Sequence, residues 1–222
     1  MPALLFGSIG SLGDTSEMQR EAFNSAFEAH DLDWHWDRDD YLQMLESSGG
    51  AQRIAEYATS VGAEVDVAAV HATKSEMFRK QLLDGGVSPR PGVLETVKAA
   101  HDRGITVGLV TTTSAENVDT MLRVLGPDLT RTDFALVVDT STVAVSKPDP
   151  AAYLHALTEL GETPEHVVAI EDNLDGVASA TAAGLRVVAF PNSNTAGHDF
   201  AAATERVDHL DDGAVLADVT RV

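Results

Sequence analysis

The chain has no cysteine among its 222 residues, few aromatics (5%), and only 15 Lys+Arg against 35 Asp+Glu. Each shortage excludes something. Without cysteine there are no disulfides, no thiolate metal sites and no cysteine nucleophile, and the redox compartment stays open. A formal net charge of -20 opposes any encounter with phosphate-rich surfaces, so nucleic acid and anionic membranes are not expected partners. No stretch approaches the roughly 20 apolar residues of a membrane span. The N-terminus, Met1-Pro2-Ala3-Leu4-Leu5-Phe6, has no basic region ahead of its short apolar run, so no signal peptide is read and a cytoplasmic location is expected. What is present is 44% hydrophobic residues, enough for a real core.

Ala3 to Phe6 reads as a buried strand running into the turn Gly7-Ser8-Ile9-Gly10-Ser11. From Thr15 to about Glu28, Met18, Ala22, Phe23, Ala26 and Phe27 share one helical face, with Asp14 or Thr15 as N-cap. Helical periodicity continues from Asp37 to Leu83, broken at Gly49-Gly50. Beyond Gly85-Gly86 the texture changes. Strands are expected at Thr106 to Val110, Phe134 to Val138, Val167 to Ile170, Arg186 to Phe190 and weakly at Val207 to Leu210. Helices are expected at Val93 to Arg103, Glu116 to Val124, Ala151 to Leu160 and Leu174 to Ala183. Continuous rather than alternating apolar strands, separated by helices, predict a parallel sheet covered on both faces, hence an α/β fold with a helical insertion after the first strand.

In open α/β sheets the ligand lies beyond the carboxyl ends of the strands. The residues there are Gly7 to Ser11, Thr111-Thr112-Thr113, Ser146-Lys147-Pro148 and Glu171-Asp172-Asn173. Hydroxyls and a lysine suit an anion, and adjacent carboxylates suit a hard cation. Taken singly, Thr111 could end a strand, Glu171-Asp172 could cap a helix and Lys147 could be a surface lysine; at successive strand ends together they mark a site.

These segments resemble the haloacid dehalogenase (HAD) superfamily over essentially the whole chain. Glu171-Asp172-Asn173 with Gly176 and Ala182-Ala183-Gly184 is similar to its fourth motif, and Lys147-Pro148 to its third. Gly49 to Ile54, Arg90 to Val93 and Thr111 to Val118 are most similar to the group of xylulose bisphosphate phosphatases and β-phosphoglucomutases. The resemblance implies a Rossmann-like core at 1–13 and 87–222 and a helical cap at 14–86. It implies phosphate binding by Ser11, Thr111, Thr112 and Lys147, and contact of Arg53 in the cap with a distal phosphate. It also implies Mg²⁺ on Glu171, Asp172 and the Ile9 carbonyl. Arg53 also reads as a helix-surface residue pairing with Glu46 or Glu56.

The first motif departs from the family's Asp-x-Asp-Gly-Thr, whose first Asp is the nucleophile and whose second is the general acid/base. Here Gly7 and Ile9 stand at those positions, while Gly10 and Ser11 keep the turn and the hydroxyl. Strand alternation would turn Ser8 away from the face of Gly7 and Ile9, making it a poor substitute, and Asp14 reads as a helix cap. The expectation is a phosphatase-like protein without aspartyl-phosphate turnover that binds a phosphorylated metabolite or anion, with weakened Mg²⁺ affinity and room for a protein partner. The alternative is a Mg²⁺-dependent sugar phosphatase working by another route, such as direct attack of water. The eight histidines have no metal-ligand spacing, and Trp34 and Trp36 read as packing anchors.

Overall fold

A computed structural model describes residues 2–46 and 49–219, with the side chains of Glu46, Asp212, Ala214 and Asp218 outside the description. Six strands form one parallel sheet: β1 (Ala3–Phe6), β2 (Thr106–Val110), β3 (Leu136–Val138), β4 (Val167–Glu171), β5 (Arg186–Ala189) and β6 (Glu205–Arg206). Their order is β3-β2-β1-β4-β5-β6. β1 is central, with Phe6 in register with Leu109 on one side and Ile170 on the other. The order reverses beside β1, so the strand ends there open a crevice.

Both faces of the sheet are buried, which is why the strands read as unbroken apolar runs. Leu4 and Phe6 pack on one side against α6 (Val93–Asp102) and α7 (Ala115–Leu125). Ala3 and Leu5 pack on the other against α8 (Ala151–Leu160) and α9 (Leu174–Ala182). The strand expected at Val207 to Leu210 lies earlier, at Glu205–Arg206, and is exposed; the apolar residues that suggested it, Val207 and Leu210, pack beneath the sheet instead.

After β1 come a single turn of helix, α1 (Ile9–Leu12), and then α2 (Ser16–Ala29), α3 (Arg38–Gln43), α4 (Gly50–Val61) and α5 (Val67–Gly85). The last four contribute no strand to the sheet. They enclose a separate cluster around Phe23, Phe27, Trp36, Tyr41, Ile54 and Val70. Trp36 is fully buried there, 4.9 Å from the Phe23 ring and 4.7 Å from that of Phe27; such aromatic pairs add about 1 kcal/mol each beyond their burial. A second interruption, unread in the sequence, falls at Gly62, which ends α4 in the left-handed conformation (φ 68°) that favours glycine. Among the described residues no helix is long and apolar enough to cross a membrane.

Candidate active site

A cavity of about 450 Å³ lies between the strand ends and the helices α2 to α5. Its floor includes Ser8, Ile9, Thr111, Thr112 and Asp172, and its far wall includes Gln19, Arg53, His71 and Lys74.

The end of β1 builds the floor. The strand stops at Phe6, and Ser8 takes an extended conformation as the N-cap of α1, its Oγ accepting from the Ser11 N–H at 3.0 Å. The alternation expected to turn Ser8 away does not apply, because the chain has left the strand. The Ser8 hydroxyl instead faces the cavity and donates to Asp172 Oδ1 at 2.8 Å. Ser11 is fully buried, its hydroxyl donating to the Ser8 carbonyl at 2.7 Å; it completes the turn and does not line the cavity.

Behind the floor is a closed ionic cluster. Lys147 Nζ lies 2.6 Å from Glu171 Oε1 and donates to the carbonyls of Gly7 (2.5 Å) and Val110 (2.8 Å). The Tyr153 hydroxyl donates to the same Glu171 oxygen at 2.6 Å. Neither Lys147 nor Glu171 lines the cavity. Complete burial pushes the Glu171 carboxyl above its ordinary pKa, against the pull of Lys147, and burial beside Glu171 raises the Tyr153 phenol well above its own. The Glu171 carboxyl packs between two glycines: a Cβ on Gly7 would stand 2.1 Å from Glu171 Cδ and 2.5 Å from Tyr153 Oη, and a Cβ on Gly176 would stand 2.1 Å from Glu171 Oε2. The place where a side chain at position 7 would begin is therefore filled.

Asp172 is the carboxylate that reaches the cavity. Its Oδ1 accepts from Ser8 and from Asn173 Nδ2 (2.8 Å), and its Oδ2 accepts from Asn192 Nδ2 (2.9 Å). The Ile9 carbonyl accepts the Gly13 N–H at 3.1 Å. Glu171 is turned to Lys147 and does not line the cavity, although its carboxyl lies near enough to Asp172 to feel that charge. Among the described residues no three acidic or imidazole groups converge in a way that could hold a metal ion. A hard divalent cation calls for several anionic or carbonyl oxygens free to face it, and one carboxylate already engaged by three neutral donors does not fit that demand.

Sequence reasoning named Arg53 on the far wall but missed Lys74. On α5, Val70, Lys74, Phe78 and Leu82 recur every four residues and all are buried, so a lysine occupies one position of an apolar stripe. That misplacement was the available signal. Lys74 donates to Gln19 Oε1 and lies 4.7 Å from the Phe23 ring centroid and 5.3 Å from that of Phe78. Burial, with repulsion from Arg53, lowers its pKa to about 7. Arg53 is also buried, its guanidinium 5.9 Å from the Phe23 centroid and its Nε donating to the Met44 carbonyl at 3.0 Å. Glu56, one pairing partner expected for it, is bonded by Gln52, and the other, Glu46, has its side chain outside the description.

The strand order reverses at β1, and the loop at its carboxyl end meets Asp172, just past the end of β4, at the cavity. The family model for haloacid dehalogenase-like hydrolases matches residues 7–184, and the chain belongs to that family. It is 36% identical over 220 residues to Protein CbbY of Rhodobacter capsulatus, covering 98% of this chain and 97% of the relative. β-Phosphoglucomutase of Bacillus subtilis is 28% identical over 196 residues, 85% of this chain and 82% of that protein. The fold matches crystal structures of CbbY from Rhodobacter sphaeroides, one in complex with phosphate and one, a point mutant, in complex with xylulose-(1,5)bisphosphate; each is 34% identical, covers 99% of both chains and has a TM-score of 0.89.

Proposed function

We propose that this chain binds a small phosphorylated metabolite in a sugar-phosphatase-type site and does not turn it over through an aspartyl-phosphate. The observation that carries the reading is the packing of Glu171 into the space beside Gly7. A nucleophile lost by decay would leave a gap, whereas here Lys147, Tyr153 and Glu171 close over the position. Ile9 supplies no proton where the family has its acid/base, so both reactive groups are missing. Removing the nucleophile from a coupled catalytic set has cost on the order of a million-fold in kcat.

The division of labour follows the family: a core of residues 1–13 and 87–222 and a cap of 14–86, with the ligand between them. Phosphate and xylulose-(1,5)bisphosphate in the CbbY structures support a phosphorylated ligand for this cavity. The donor set at Asp172 supports binding that does not depend on Mg²⁺. Calorimetric titration with phosphate and with pentulose phosphates, alongside a phosphate-release assay in millimolar Mg²⁺, tests the reading. Binding without release is expected; release at about 1 per second, in the ordinary enzyme range, would overturn it.

A further inference from the structure

The chain has four lysines, Lys74, Lys80, Lys98 and Lys147, and three of them are tied to carboxylates. Lys80 and Lys98 are exposed, each 2.6 Å from an aspartate four residues on, Asp84 and Asp102. Lys147 lies 2.6 Å from Glu171 and does not line the cavity. Lys74 differs from all three. It is buried, it lines the cavity, and among the described residues no carboxylate stands at ion-pair distance from it. Its Nζ donates to the neutral Gln19 Oε1 and lies against the rings of Phe23 and Phe78.

An amine so placed is a different reagent from a surface ammonium. A desolvated lysine near another cation loses its proton easily, and the neutral amine is the form that adds to carbonyls. With a pKa lowered to about 7 by burial and then by Arg53, Lys74 is largely unprotonated just above neutrality. While one N–H holds Gln19, the neutral amine keeps a second N–H and a lone pair. His71 stands one turn earlier on the same face of α5 and lines the same cavity. Burial, and after it the charge of Lys74, hold the imidazole below its ordinary pKa, so it is neutral and able to relay a proton. Of the helices around α5, α4 brings Arg53 to the cavity and α3 the Tyr41 phenol, which burial keeps protonated, while α2 and α7 bring uncharged groups, among them Gln19 and Asn117. Asp172 lines the cavity from the end of β4.

We infer that Lys74 captures carbonyl compounds as an iminium, so that the phosphorylated metabolite of the proposed function is one presenting a ketone or an aldehyde. The inference rests on that reading for the phosphate and on Lys74 for the chemistry. Nζ adds its lone pair to the carbonyl carbon, and an Nζ proton passes through His71 to the carbonyl oxygen, giving a carbinolamine. The C–O bond then breaks, the oxygen leaves as water with one proton drawn from solvent, and the nitrogen lone pair closes the C=N bond. No oxidant or reductant is consumed, water reverses the step, and the phosphate ester is untouched.

Reductive trapping on the full chain with cyanoborohydride, read by intact mass and peptide mapping, tests the inference. The probes are D-xylulose 5-phosphate, unphosphorylated D-xylulose and D-xylitol 5-phosphate, which has no carbonyl. Xylulose 5-phosphate is expected to leave a single adduct, on Lys74, with a mass gain of the sugar phosphate less one oxygen. At about pH 7.5 it should form at least about tenfold faster than any adduct on Lys80 or Lys98, because far more of the Lys74 amine is neutral there. Xylitol 5-phosphate should leave none, Lys74→Met should abolish the adduct, and His71→Asn should slow it by about tenfold or more. Circular dichroism establishes that each variant is folded, and the peptide map of wild type decides the question if one is not. Adducts confined to the N-terminal amine, Lys80 and Lys98, in a protein that calorimetry shows to bind xylulose 5-phosphate, would overturn the iminium and leave the proposed function standing. A Lys74 adduct formed no faster from xylulose 5-phosphate than from xylulose would uphold the iminium and contradict the phosphorylated ligand. Neither adduct nor binding would overturn both.

Discussion

The carboxyl group of Glu171 occupies the space into which a side chain at Gly7 would grow, 2.1 Å from a Cβ placed there. The relation couples the residue just after β1 to the last residue of β4, and it makes the first-motif change and the fourth-motif packing one feature. Gly7→Ala is therefore expected to destabilise the fold by about 1–3 kcal/mol through overpacking. In a Glu171→Ala background the same change should cost less than about half as much, a coupling that a double-mutant cycle in urea measures. Additive costs would contradict the coupling.

Restoring the family pattern by Gly7→Asp with Ile9→Asp is expected not to restore phosphatase activity. The new carboxylate at 7 meets Glu171 and Tyr153, and the one at 9 replaces a side chain 5% exposed in the core. A phosphate-release assay on the folded double variant checks this. Turnover would mean that only the first motif is silenced.

Ser8 holds Asp172 and caps α1 with one hydroxyl. Ser8→Ala is expected to cost about 1 kcal/mol, the usual value of a lost cap, read as a lower urea midpoint at unchanged slope. Millimolar Mg²⁺ is expected to move the thermal midpoint of wild type by less than about 1 °C, because one engaged carboxylate gives little binding energy to couple to folding.

Lys74 gives a pH signature. Buried beside Arg53, it loses its proton near 7 in the fold, against 10.5 for an ordinary lysine. Between those values the unfolded chain holds the extra proton, so stability rises with pH across the window, and the cost of the buried charge is fully present below about 7. Relative to Lys74→Met, wild type should gain roughly 2 kcal/mol between about pH 7 and 9, measured by urea unfolding. Anion affinity should fall over the same range, and binding near pH 8 should take up a proton, visible as a buffer-dependent enthalpy.

Much of this was legible in the sequence. The span Thr106 to Val110 and the helix Ala151 to Leu160 fall where their apolar patterns put them, because strands buried on both faces and helices with one apolar face leave unambiguous periods. The strand-end logic located the cavity through Thr111, Thr112 and Asp172. Periodicity failed where the backbone left regular structure. Ser8 was misdirected because the two-residue alternation ends at Phe6, and a cap conformation sets its direction. Ser11, Lys147 and Glu171 are at the strand ends as read, but hydrogen bonds to carbonyls and to one another, invisible in a linear pattern, turn them away from the cavity. Lys74 was overlooked because a lysine in a helix reads as solvated, although its four-residue spacing from Val70 and Phe78 marks it as inward-facing.

The central claim is that the site binds without forming an aspartyl-phosphate. Its most direct test is a single-turnover experiment with protein in excess over xylulose 1,5-bisphosphate or D-xylulose 5-phosphate in Mg²⁺, followed by ³¹P NMR for free phosphate. The account predicts intact sugar phosphate after hours, with the bound monophosphate resonance shifted. Stoichiometric phosphate release within seconds, at the about 1 per second or faster of ordinary enzymes, would contradict it.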